Sequence, residues 1–181
     1  MTPHTLVLLA HPDLPASRIH ARLVETARQA DGVTVHDLAA ASTDGRFDVG
    51  REQQLLLDHD QVVWQFPWYW YSVPAVLKAW MDQVLTYGFA YGQDGTALRG
   101  KSLQLVTSTG GPSASYRPDG HNRFTMQELL RPLEATAHLC GLELLDPLVL
   151  PGVRMMPDGE LEEHAEHYRR LLAGRRERTA A

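Results

Sequence analysis

Three short stretches of this chain carry residue types that could do chemistry. In HPDLPASR, His11, Ser17 and Arg18 bring an imidazole, a hydroxyl and a guanidinium to the point where a strand gives way to a helix. Unpaired N–H groups and the positive end of a helix dipole make such a junction suited to a phosphate. In PWYWYS, Pro67, Trp68, Tyr69, Trp70 and Tyr71 put four large aromatic rings where a polar turn normally sits. Their ring faces, with a run of peptide N–H and C=O groups, suit a planar heterocycle. In TSTGG, Ser108, Thr109, Gly110 and Gly111 are small enough for backbone to approach a ligand closely, and Tyr116 and His121 follow as proton or hydrogen-bond donors.

Each stretch also has a plainer reading. Ser17 caps a helix and His11 ends a strand; the aromatics form a core cluster or a dimer surface; TSTGG begins a flexible loop with Tyr116 covering a core edge. The coincidence of all three at strand ends favours a site, and a flavin ring is one heterocycle that would suit it. Other chemistries lack their signatures. The chain has no P-loop spacing, no GxGxxG and no GxSxG elbow. His164 and His167, three apart in HAEH, and His138, two before Cys140, match no ligand pattern, so they read as solvated helix residues and no metal is expected.

The elements that position these stretches follow from short apolar runs alternating with helix-period segments, the mark of βαβ units and a parallel sheet covered on both faces. Strands are expected at 5–10, 33–38, 61–66, 101–107 and 142–150. A helix over 18–30 carries Ile19, Leu23 and Ala27 at fourfold spacing, with Ser17 as N-cap and Asp31-Gly32 as stop. Further helices are expected around 51–59, from Pro74 with Val73, Leu77, Trp80 or Met81 and Val84 on one face, along Leu130, Leu133, Ala137 and Cys140, and over 160–172. Pro132 falls in the first turn of its helix or at a kink. GFAYGQDGTALRG and STGGPSASYRPDGHNR read as long surface loops. Five strands with intervening helices make a doubly wound sheet, where ligands bind beyond the carboxyl ends of the strands.

Composition bounds the rest. At 181 residues the chain fits one domain, expected over 1–173 with a flexible tail at 174–181. A formal charge of -5 argues against nucleic-acid binding. The longest apolar runs fall far short of a membrane span, and MTPHTLVLLA lacks a basic leader, so a cytoplasmic protein is expected. The single cysteine, Cys140, excludes an internal disulfide and reads as a small core residue.

Taken together, AHP at the end of the first strand, Ser17 six residues after His11, the block QFPWYWYSVPAVLKAWMDQVLTYGFAYG, TSTGG followed by Tyr116, and CGLELL resemble the flavodoxin-like NAD(P)H dehydrogenase (quinone) family. The resemblance covers most of the chain and implies an α/β flavodoxin-like, five-stranded sheet of order 2-1-3-4-5. It implies noncovalent FMN, with His11, Ser17 and Arg18 near its phosphate and ribityl chain and Pro67, Trp68, Tyr69, Trp70, Tyr71, Ser108, Thr109, Gly110 and Gly111 bordering the isoalloxazine. Tyr116 and His121 match a tyrosine and histidine that offset charge in two-electron quinone reductases, although their spacing is one residue shorter than in the mammalian enzymes and Pro112 and Pro118 change the loop. The family implies ping-pong hydride transfer from NAD(P)H to a quinone-like acceptor, and a homodimer with sites at its interface; Phe89 and Tyr91 are then left for the dimer or acceptor pocket. Two other readings stand beside the enzyme. One is an accessory subunit docked on a glutathione-gated potassium efflux antiporter at the inner face of the membrane, and the other is a flavodoxin-like electron carrier.

Overall fold

The computed structural model describes residues 4–173. The tail expected at 174–181 lies outside the described residues. Four long strands, β1 (Thr5–Leu9), β2 (Val33–Asp37), β3 (Gln61–Pro67) and β4 (Ser102–Ser108), pair in parallel in the order β2-β1-β3-β4. Every position of β1 and β3 is buried, as expected of central strands covered on both faces. Their side chains alternate between two layers. Leu6, Leu8, Val62, Trp64, Phe66, Leu103 and Leu105 enter one, while Val7, Val63 and Val106 enter the other.

Helices α3 (Val49–Leu57), α4 (Ala75–Val84) and α6 (Arg131–Leu139), with the single turns α2 (Leu38–Ala41) and α5 (Met126–Leu129), cover the first layer; α1 (Arg18–Arg28) and α7 (Asp158–Leu172) cover the second. The expected stripes are observed. Ile19, Leu23 and Ala27 are buried on α1 and Leu77, Trp80 and Val84 on α4; α7, for which no stripe was expected, buries Leu161, Ala165, Tyr168 and Leu172. Trp80 meets Trp64 edge to face at 6.3 Å and donates its indole N–H to Glu52 Oε2 at 2.8 Å. Burial pushes the Glu52 carboxyl up, but hydrogen bonds from His36 and Trp80 outweigh it and hold the group below the usual carboxylate range. Cys140 is buried, and desolvation raises its thiol pKa, which suits a core residue rather than a nucleophile.

The fifth strand departs from expectation. Instead of one run over 142–150 there are two pieces, β5 (Glu143–Leu144) and β6 (Leu148–Leu150), both parallel to β4. The sheet therefore holds six strands in five positions. The pairs Leu103↔Leu144 and Val106↔Leu148 are out of step by one residue, so the intervening Leu145, Asp146 and Pro147 form a bulge. Pro147 has no N–H to give the ladder, and the Gln104 side-chain amide fills the gap by donating to the Asp146 carbonyl at 2.6 Å. Pro132 lies in the first turn of α6, separating it from α5, which opens on a Thr125–Glu128 capping box.

The chain runs from β1 outward to β2 and then returns to the other side of β1 at β3. The switch point lies between β1 and β3, and it is there that the carboxyl ends of the strands leave room for a ligand.

Candidate functional site at the strand ends

His11 follows the end of β1, where Ala10 N–H donates to the Gln65 carbonyl at 2.9 Å and locks β1 to β3. His11 Nδ1 accepts the Asp13 N–H at 3.1 Å, so the neutral ring carries its proton on Nε2 as a donor. Burial lowers the His11 pKa, with Asp13 and Asp37 partly offsetting it. A single 3-10 turn over Leu14–Ala16 then leads to Ser17, the N-cap of α1, whose Oγ accepts the His20 N–H at 3.1 Å. That bond leaves the Ser17 hydroxyl proton free to donate, and the first N–H groups of α1 have no intrahelical acceptor. Arg18 departs from this group. Its guanidinium binds Asp158 and the Met156 carbonyl, tying α1 to the start of α7. At the α1 cradle Arg18 contributes backbone, with its charge already matched.

The PWYWYS stretch forms a tight turn closed by Tyr69 N–H to the Ser72 carbonyl at 3.1 Å and Ser72 N–H to the Tyr69 carbonyl at 3.0 Å. Its two central residues, Trp70 (φ 49°) and Tyr71 (φ 60°), are both left-handed, the geometry of a type I′ turn that ordinarily takes Asn and Gly. Holding bulky residues there costs on the order of 1–3 kcal/mol each, a strain that clusters at ligand clamps. Trp70 is 94% exposed, Tyr69 and Tyr71 about half exposed, and Trp68 packs against Phe66 at 6.2 Å. Pro67 is the last, buried residue of β3.

At the end of β4, Ser108 and Thr109 are buried. Thr109 Oγ1 donates to the Gly111 carbonyl at 2.9 Å, and Gly110 and Gly111 open the loop that follows. Tyr116 lies half-buried over Gly111, where an added Cβ would sit 3.5 Å from its ring. His121 is exposed on the same loop. Phe89 and Tyr91 are half-buried against the α4 layer.

Two residues outside the sequence-predicted set join these segments. His20, 1% exposed, contacts Ser108 Oγ through Nε2 at 2.9 Å, and its ring lies tilted 5.2 Å from that of His11. Desolvation, helped by the nearby His11, lowers its pKa to about 3 and keeps it neutral. Asn122 Oδ1 accepts the Tyr71 hydroxyl at 3.1 Å, linking the aromatic turn to the Tyr116 loop. Trp68 N–H donates to the Ser108 carbonyl at 2.9 Å, so α1, β3 and β4 all meet at Ser108. The sequence did offer a sign of His20, a polar residue one turn after the N-cap inside an otherwise apolar stripe. Asn122 carried none.

Three buried polar atoms near these strand ends, His20 Nδ1, Trp68 Nε1 and Thr107 Oγ1, have no hydrogen-bond partner. Because a buried unpaired polar atom is costly, the cradle fits a ligand bearing both anionic and planar polar parts, as FMN does. A shallow groove lined by Arg131, Glu134, Ala135, His138, Leu142 and Leu144 lies beside β5 and holds none of these residues. His164 sits on α7, 3.9 Å from Glu160, and no cluster of three or more metal-ligating side chains occurs among the described residues.

A parallel sheet of this order with a strand-end cradle at its switch point defines a flavodoxin-like protein. A family model described as flavodoxin-like fold matches residues 3–172, and the chain belongs to that family. It is 45% identical over 172 residues to the glutathione-regulated potassium-efflux system ancillary protein KefG of Cronobacter sakazakii, covering 95% of this chain and 94% of that one. The crystal structure of general stress protein 14 from Treponema denticola in complex with FMN has a TM-score of 0.89 and 41% identity, covering 96% of this chain and all of that one. An NADPH-quinone reductase from P. pentosaceus has a TM-score of 0.84 and 35% identity, covering 93% and 97%.

Proposed function

We propose that this chain is an FMN-dependent NAD(P)H:quinone oxidoreductase that works by ping-pong transfer from NAD(P)H to a quinone-like acceptor. The observation that carries this reading is the junction at Ser108, where the His20 ring and the Trp68 N–H draw the α1 cradle, the aromatic turn and the TSTGG loop together. Similarity to an FMN complex and to an NADPH-quinone reductase supports the choice of ligand and reaction.

FMN, when bound, would supply the redox chemistry, acceptance and donation of a hydride. The chain binds, orients and excludes water. The Ser17 hydroxyl, the His11 Nε2–H and the first N–H groups of α1 hold the phosphate end, favoured by the helix dipole. Peptide groups of 67–71 and 108–111 flank the ring. Tyr116, against Gly111, and His121 handle the proton that accompanies reduction of the acceptor. Replacing both with Phe is expected to lower quinone turnover about 100-fold, the ordinary scale of general acid–base help, while FMN stays bound; unchanged turnover removes the two residues from the mechanism.

A second copy of the chain covers the rim in this reading. Trp70, Tyr69 and Tyr71 in one turn, with Phe124 just beyond the Asn122 that Tyr71 binds, leave large apolar surface exposed. Analytical ultracentrifugation should give the mass of two chains, and a single-chain mass for active protein would exclude the shared site.

The similarity to KefG favours a further reading, an accessory subunit on a potassium efflux antiporter. No helix among the described residues is long and apolar enough to cross a membrane, so docking would be peripheral, at the cytoplasmic face. Co-purification with the transporter supports that role; quinone turnover at full rate without any partner supports the autonomous enzyme.

A further inference from the structure

Beyond β6 the chain folds back over the TSTGG loop. Thr109 N–H donates to the Leu150 carbonyl at 2.9 Å, Gly152 N–H to the Gly111 carbonyl at 2.8 Å and Val153 N–H to the Thr109 carbonyl at 3.1 Å. These bonds fix residues 150–153 as a second rim of the site. The next side chain, Arg154, lies against Gly110. A Cβ built on Gly110 would stand 3.3 Å from Arg154 Nε, closer than most such contacts, and 3.7 Å from Cζ, so the guanidinium lies directly against this peptide.

The charge of Arg154 is unmatched. Arg18, Arg22, Arg117, Arg131 and Arg169 each stand within 4 Å of a carboxylate. Among the described residues Arg154 has none recorded, as is also true of Arg28, Arg46, Arg99 and Arg123; what sets Arg154 apart is that its exposed side chain lies against Gly110. The cradle holds little other fixed positive charge, since Arg18 is matched by Asp158 and His20 is buried and neutral. A guanidinium left unpaired beside a glycine-lined loop is placed to meet an anion there.

We propose that Arg154 is the charge-stabilising residue of this site, holding the negative charge that hydride transfer deposits beside the 108–111 loop. The inference rests on the FMN reading above. In that reaction the C4–H bond of the nicotinamide breaks and two electrons and one proton leave it as a hydride; NAD(P)+ departs, and the site gains one negative charge. The acceptor later takes the hydride together with one proton, handled by Tyr116 and His121 in that reading, and the charge is lost. A guanidinium lying against Gly110 favours the reduced state, because it meets charge present only then. The role falls on Arg154 because its loop is bonded to TSTGG through three backbone hydrogen bonds and its guanidinium lies against Gly110.

The test compares full-length wild type, Arg154→Gln and Arg154→Lys, measuring oxidised FMN affinity by fluorescence quenching and the midpoint potential of bound FMN. Arg154→Gln should bind oxidised FMN within about twofold of wild type and keep its melting temperature, as expected for an exposed side chain. Its preference for reduced over oxidised FMN should fall about tenfold, a potential about 30 mV more negative for a two-electron couple. Arg154→Lys, which keeps the charge, should retain most of that preference. An Arg154→Gln potential equal to wild type overturns the proposal, and so does an Arg154→Lys potential lowered as far as that of Arg154→Gln, since packing rather than charge would then be responsible. A wild-type chain that binds no FMN overturns the cofactor reading itself, and this inference with it.

Discussion

The two sides of the strand-end cleft are built on opposite terms. On the α1 side His11, His20 and Ser108 are buried, hydrogen-bonded to one another or to nearby backbone, and held by an N-capped helix. On the aromatic side Trp70 and Tyr71 are exposed, left-handed and joined to the rest of the cleft by a single side-chain bond to Asn122. The buried side is packed and hydrogen-bonded apart from the unpaired His20 Nδ1 and Thr107 Oγ1. The exposed side carries strain and uncovered apolar surface without visible return in the isolated chain, which is the expected condition of a surface shaped for a ligand or a second chain.

If that contrast is right, two tryptophans of the same sequence block should behave in opposite ways. Trp80→Ala removes a ring that is 1% exposed and leaves Glu52 without its indole donor, so urea denaturation should show a loss of about 3–5 kcal/mol. Trp70→Gly, by contrast, relieves a left-handed side chain, and the same measurement should show a gain of about 1 kcal/mol for the isolated chain, alongside weaker FMN binding. A comparable loss of stability in both variants would mean that the turn belongs to the core.

Between these lies the acid response of the buried side. The unfolded chain protonates His20 near its ordinary 6.5, whereas the folded chain resists to about 3. The stability linked to this ring is therefore present above pH 6.5 and lost as the pH falls from 6.5 toward 3, at up to about 1.4 kcal/mol per pH unit. The apo protein should thus lose denaturant midpoint steeply between pH 6.5 and 4, and His20→Asn should flatten that slope; parallel curves for the two would show that the ring is not kept neutral by its site.

Much of this architecture was legible in the chain because burial imposes a period. Leu23 and Ala27, Leu77 and Val84, and Leu133 and Ala137 repeat at helical spacing, and the continuous apolar runs of β1 and β3 mark central strands. The split of the last strand was not legible, because it depends on a side chain from another strand: Gln104 completes a ladder that Pro147 interrupts. The site divides in the same way. His11, Ser17, the aromatic turn and TSTGG announce themselves as unusual residues at strand ends. The contacts that make them one site, His20 to Ser108, Tyr71 to Asn122 and Arg154 against Gly110, join residues far apart in sequence and follow from the fold rather than from any local pattern. Arg18 shows the converse, a residue of apt chemistry in an apt place whose charge is matched by Asp158 on α7.

The most direct measurement of the account is an anaerobic titration of the purified full-length protein, loaded with FMN, with NADPH and with NADH. The account predicts a yellow protein whose visible absorbance bleaches with one equivalent of nicotinamide per bound FMN and returns on addition of a quinone. A colourless protein that neither binds added FMN nor oxidises either nicotinamide would contradict it.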